Sequence, residues 1–94
     1  EKIQFLYHGT YNVFSAMDSY IFRFPDIHFR NSKGVELIRN EVEILRNLRS
    51  HLDISIPNPI YISIDNNNPY MGYEKIKGDD KRKYHLLLQL IGLS

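Results

Sequence analysis

The stretch VELIRNEVEILRNLRSHL, residues 35–52, decides the fold. Its apolar residues recur at 35, 38, 42, 45, 48 and 52, which is helical spacing. Placed on a wheel at about 100° per residue, Val35, Leu37, Ile38, Val42, Ile44, Leu45, Leu48 and Leu52 fill one broad arc. Glu36, Arg39, Asn40, Glu43, Arg46 and Asn47 fall on the other side. Glu41 breaks the pattern, because it stands near the middle of the apolar arc. A carboxylate on a buried face is costly unless it is paired, so the helix asks for a cation from another element.

Upstream, Ile3–His8 reads as a strand, Gly9-Thr10 as a turn, Tyr11–Met17 as a second strand and Asp18-Ser19 as a tight turn. Tyr20–Phe24 is β-branched and aromatic, hence a third strand, closed by Pro25. The short connections predict an antiparallel meander. Residues Asp26–Gly34 read as a polar loop, with Ser32 as a candidate helix cap. Downstream, Ile56-Pro57-Asn58-Pro59 must be extended. Ile60–Ile64 is a fourth strand, Asp65–Asn68 a hairpin turn and Pro69–Ile76 a fifth strand. Lys77–Asp80 interrupts the pattern, and Asp79 or Asp80 can cap a helix over Lys81–Leu93, broken late by Gly92. The order β-β-β-α-β-β-α predicts an α+β fold: a five-stranded antiparallel sheet with one packed helix, plus a C-terminal helix.

The third strand supplies the candidate cation. Tyr20, Phe22 and Phe24 share one face, Ile21 and Arg23 the other. Arg23 can pair with Glu41. Alternatively, Arg23 is solvated on an open sheet face and Glu41 reaches the helix edge. Gly9 either supplies a positive φ to an ordinary hairpin or lets backbone amides approach a phosphate. Asn12 is a turn residue or a ligand contact.

The bulk numbers exclude several classes. The 94 residues suit one small domain or part of a larger protein, and hydrophobic content of 43% with 24% charged residues is ordinary for a globular chain. Lys+Arg 12 against Asp+Glu 11 gives a net charge of +1, with no pull toward nucleic acid or an anionic membrane. Twelve aromatic residues, Tyr 7 and Phe 5, raise the idea of a base-stacking sheet, but no strand reads as both basic and aromatic-bearing. The absence of cysteine excludes disulfides and thiolate metal sites and suits a cytoplasmic location. No apolar run approaches the roughly 20 residues of a membrane span, and no signal-peptide pattern opens the chain. His8, His28, His51 and His85 have no metal-ligand spacing and read as surface or loop residues. Lys81-Arg82-Lys83 beside Asp79-Asp80 reads as a solvated helix start rather than a metal pair.

Taken together, Gly9–Phe14 (GTYNVF), Tyr20–Pro25 (YIFRFP), Asn40–Leu45 (NEVEIL), Ile56–Pro59 (IPNP) and Tyr73–Gly78 (YEKIKG) resemble, in order and spacing, the amino-terminal lobe of the aminoglycoside phosphotransferase family, which is protein-kinase-like. The 2″-phosphotransferase branch is the nearest match. The resemblance covers about residues 5–80. It implies a lobe over 1–78 and, at 79–94, the start of the connection to a helical lobe. It implies that the Gly9–Asn12 turn covers nucleotide phosphates. Arg23 would contact the α- and β-phosphates, where kinases generally carry Lys, and Glu41 would orient that cation. Tyr73 would be the gatekeeper. The Glu74 carbonyl and the Ile76 amide would meet adenine in the hinge.

The cofactor so implied is ATP or GTP with magnesium, bound weakly or not at all by these residues alone. The resemblance places the family's base and a metal ligand in a helical lobe beyond these residues. The H-x-D-x-x-x-x-N spacing that the sequence does contain, His51–Asn58 (HLDISIPN), falls on the helix end and the I-P-N-P stretch of the amino-terminal lobe. The expectation is therefore a truncated kinase-like chain with no catalytic and no metal residues of its own. The apolar tail LLLQLIGL, residues 86–93, and the hinge-side strand predict a homodimer through exposed apolar surface and the C-terminal helix. The functions in contention are a nucleotide-binding lobe, a non-catalytic lobe remnant acting in protein interaction or self-association, and, third, an RNA-binding sheet.

Overall fold

A computed structural model describes residues 2–26, 28, 32–53, 55–76 and 78–90, with the backbone alone for Tyr7, Asp79, Asp80 and Leu88. The elements are β1 (Ile3–His8), β2 (Tyr11–Ala16), β3 (Tyr20–Pro25), α1 (Ser32–His51), β4 (Tyr61–Ser63), β5 (Tyr70–Glu74) and α2 (Asp79–Leu90). The expected order holds, and the five strands form one antiparallel sheet in the order β1-β2-β3-β5-β4.

The boundaries move for local reasons. β2 stops at Ala16 because Met17 and Asp18 take positive φ, 53° and 52°, in a two-residue turn closed by the Ser19 amide donating to the Ala16 carbonyl at 3.1 Å. β3 includes Pro25, which pairs with Tyr11 beyond the last β5 partner at Arg23, so no ladder bond from β5 is lost there. α1 begins at Ser32, ahead of the first periodic residue, with Gly34 and Val35 already buried in it. Ser32 is thus a helical residue, and the preceding loop is shorter than the composition suggested. Leu52 falls just beyond α1 and is exposed. Part of the expected loop, the residue at 77, and the helix end with its Gly92 break lie outside the described residues.

The sheet has two unlike faces. On one, Tyr11, Val13, Met71 and Tyr73 join Ile38, Val42 and Leu45 of α1, with Ile56 and Tyr84, in a single core. On the other, rings meet edge to face or tilted, Phe5 on Phe14, Phe14 on Phe24, Phe24 on Tyr70, Tyr70 on Phe22 and Phe22 on Tyr61, with centroids 5.3–6.3 Å apart. An aromatic strand face therefore does exist, but among the described residues its groove is lined by no Lys or Arg. Gly72 lies beneath it because a Cβ there would come within 2.5 Å of the Phe22 ring.

Candidate functional site

Arg23 occupies the middle of the sheet. It pairs with Val13 on β2 and Met71 on β5, both fully inside, so its side chain points into the core from a central strand. Glu41 stands on the buried stripe of α1 beside Ile38, Val42 and Leu45. The two meet: Arg23 Nη2 lies 3.3 Å from Glu41 Oε1, with each side chain 3% exposed. Of the two sequence readings, the pair holds, and neither group reaches the helix edge or an open sheet face.

A third residue completes the cluster. Tyr11, two positions along β2 from the Arg23 partner Val13, lays its ring under the guanidinium at 4.5 Å from the centroid. Its hydroxyl lies beside the Glu41 carboxylate. Burial pushes the Glu41 carboxyl above the ordinary glutamate range, and Arg23 and the Tyr11 hydroxyl pull it part of the way back. Burial likewise raises the Tyr11 phenol, helped by the negative charge of the neighbouring Glu41, against the opposing pull of Arg23. Sequence reasoning passes over Tyr11. The signal available was its parity with Val13 and Ser15, which places it on the Arg23 side of the sheet.

Beside this cluster opens a cavity of about 290 Å³. Leu6, Val13 and Ile21 contribute apolar wall from three successive strands, Arg23 and Tyr73 line it deeper in the sheet, and Lys75 and Ile76 line it where β5 has ended. Lys81, Tyr84 and His85 of α2 close the remaining side. The His85 imidazole is held below its usual value by burial first, then by Lys81 and Arg23. His85 is exposed, as expected, yet lines this cavity, and Tyr84, buried at 3% exposure, is a cavity residue that the basic run before it concealed.

The expected site residues divide. Arg23, Tyr73 and Ile76 line this cavity, and Glu41 holds Arg23 from behind. Glu74 is exposed and lines a neighbouring groove with Lys75 and Ile76. Asn12 lines the groove on the aromatic face, opposite to the cavity. Gly9 sits in the β1–β2 turn, where its amide donates to the Tyr11 carbonyl at 2.9 Å. Its φ is not positive and a Cβ there would meet no atom within 4 Å, so the fold itself does not require glycine at this position. The turn is tied down by Asp26, which receives His8 Nε2 at 3.0 Å and donates its own amide to the Thr10 carbonyl at 2.9 Å.

Among the described residues no three His, Asp or Glu side chains converge as metal ligands. Arg23, Lys75 and Lys81 beside Leu6, Val13 and Ile21 fit an anionic ligand with an apolar body.

A five-stranded antiparallel sheet whose central strand presents a buried cation to a helix glutamate, beside a cavity that runs to the end of β5, is the kinase-like amino-terminal lobe. The solved structures similar to this chain agree. They include the GDP and kanamycin complex of APH(2″)-IIIa, at TM-score 0.65 and 25% identity over 82% of this chain and 25% of that one. The GDP complex of the wild-type enzyme matches at TM-score 0.66 and 25% identity, over 84% of this chain and 26% of that one. The GDP complex of a point variant matches at 0.65 and 25% identity, again over 82% and 25%. This chain is thus similar to the amino-terminal part of an aminoglycoside phosphotransferase and spans about a quarter of its length. No family model and no curated protein matches the sequence.

Proposed function

We propose that these residues form the nucleotide-binding lobe, residues 1–78, of an aminoglycoside-phosphotransferase-like small-molecule kinase, with α2 opening the connection to a second lobe. The observation that supports this reading most is the buried Arg23–Glu41 pair at the wall of the cavity. A stable core could bury hydrocarbon at both positions at lower desolvation cost, so the ion pair is better explained by a ligand charge that Arg23 serves. Leu6, Val13, Ile21 and Ile76 offer apolar surface to a purine base, and the backbone at Glu74–Ile76 lies at its edge. The Gly9 turn covers the phosphates and Tyr73 is the gatekeeper. When bound, the nucleotide with its magnesium supplies the phosphoryl group. This chain's own residues would bind and orient it.

The test is a titration of the isotope-labelled chain with ATP and with GTP, each with magnesium. Weak, saturable shifts at Val13, Ile21, Arg23 and Ile76, which line the cavity, are expected. Unchanged shifts at all four would overturn the reading and favour a non-catalytic interaction module. Among the described residues no helix is long and apolar enough to cross a membrane, and a cytoplasmic location suits the reading.

A homodimer is the second part of the proposal. Ile3, Phe5 and Tyr61 on the sheet and Leu86 and Leu90 on α2 are exposed apolar residues of the kind that association covers. A clean monomer in sedimentation at high micromolar concentration would remove it.

A further inference from the structure

We propose that α2 is an intramolecular cover, seated on the same cleft that takes the nucleotide and displaced when the nucleotide binds; the inference rests on the nucleotide reading above. Three observations carry it. First, α2 contributes one wall of the cavity, through Lys81, Tyr84 and His85. Second, the space left beneath it is about 290 Å³. Drug-sized ligands occupy pockets of about 300–1,000 Å³, so what is left stands at the small end of that range, tight for a base with ribose and a chain of phosphates. Third, the helix is held by little. Among its described side chains only Tyr84 is buried and only Leu87 is half-buried, while Lys81, Arg82, Lys83, His85, Leu86, Gln89 and Leu90 are exposed.

Tyr84 is the pin of this cover. It belongs to the core cluster with Tyr11, Val13 and Tyr73 and lines the cavity alongside Arg23, so a ligand reaching Arg23 must pass the space it holds. Tyr84 stands midway along a helix whose other described side chains, apart from half-buried Leu87, are solvated, so its ring is the main anchor to be released. The consequence is competition: the α2-docked form excludes the full nucleotide, and the apparent affinity is lowered by the fraction of time that the helix is docked.

Amide hydrogen exchange of the full chain, with and without saturating ATP or GTP and magnesium, tests the idea. The expected result is slower exchange around Val13, Ile21 and Ile76 together with faster exchange over residues 81–90. Slower exchange in both regions would make α2 a floor of the nucleotide site and overturn the cover, while leaving the nucleotide reading intact. In a parallel titration Tyr84→Ala should bind nucleotide about tenfold more tightly than the parent chain. Should that variant fail to fold, Leu87→Ala loosens the same helix from a half-buried position and should tighten binding in the same direction. Weaker binding by the folded variant again overturns the cover. No binding by the parent chain or by the folded variant overturns the nucleotide reading and the cover with it.

Discussion

Arg23 and Glu41 face each other at 3.3 Å in the interior, one from the central strand and one from the helix that covers it. Each is acceptable there only because of the other. Removing one partner leaves a buried charge without its counterion, which costs about 3–5 kcal/mol. A chain of this length holds roughly 5–14 kcal/mol in all. Arg23→Ala or Glu41→Ala should therefore leave the protein close to unfolding at room temperature. The double replacement Arg23→Met with Glu41→Leu should recover most of the loss in urea denaturation, because it buries hydrocarbon in place of both charges. Additive losses in the double variant would mean that the pair is not coupled.

How far the site can be read in the sequence depends on how local each signal is. Glu41 announces itself within one helix, because a carboxylate interrupts an otherwise apolar arc. Arg23 announces itself within one strand, by alternation with Phe22 and Phe24. Their meeting needs only the rule that such charges pair. Tyr11 requires the β2–β3 register, which brings it diagonal to Arg23, and nothing within β2 marks it apart from an ordinary strand tyrosine. Tyr84 is hidden for a different reason: the charges before it read as solvated, and only the tertiary fold reveals that α2 turns one ring inward. The pairing of β3 with β5 is likewise non-local, since the chain passes through α1 and β4 between them.

Gly72 is a consequence of that non-local pairing. It sits opposite Phe22, and a methyl group there would stand 2.5–2.6 Å from ring carbons that are themselves held between Tyr61 and Tyr70. Gly72→Ala should destabilise the chain by about 1–3 kcal/mol through overpacking. Adding Phe22→Leu should return part of it. Thermal unfolding of the single and double variants checks this, and an unchanged midpoint in Gly72→Ala would mean that the aromatic face yields freely.

Asp26 ties the β1–β2 turn to the end of β3. Its carboxylate holds His8 at 3.0 Å and accepts the His28 amide at 3.3 Å, and its own amide holds Thr10. Asp26→Ala keeps the last bond and loses the first two. The amides of Gly9, Thr10 and Tyr11 should then exchange faster, by about tenfold if one hydrogen bond's worth of about 1 kcal/mol or slightly more is lost. Unaltered exchange at these three would show that the turn is fixed by the hairpin alone.

The elevated Glu41 carboxyl gives stability a pH dependence of definite sign. Above 4.5, the ordinary glutamate value, the unfolded chain releases this proton while the native state still holds it. The native state binds more protons in that interval, so stability falls as pH rises through it and levels off above the folded-state value. Glu41→Gln removes the titration. The stability of the parent chain minus that of Glu41→Gln, from urea midpoints between about pH 4 and pH 8, should decrease with pH. A flat or rising difference would mean that Arg23 and Tyr11 outweigh burial in setting this proton.

Gly9 separates structure from ligand binding more sharply than any other position. Its φ lies outside the left-handed region, and the place of a missing Cβ is open, so the hairpin can accept alanine. Gly9→Ala should change stability by no more than about 0.5 kcal/mol, and a slight gain is the natural direction because the unfolded chain loses freedom. Nucleotide binding should respond differently. If the turn closes over phosphates, a methyl group stands between its backbone amides and the anion. The affinity for a nucleoside triphosphate should fall about tenfold, or about 1.4 kcal/mol, while a nucleoside without phosphates binds Gly9→Ala and the parent chain alike. Equal loss for both ligands would place the effect on the base rather than the phosphates. No loss for either would leave Gly9 without a part in the site and remove the turn from the nucleotide reading.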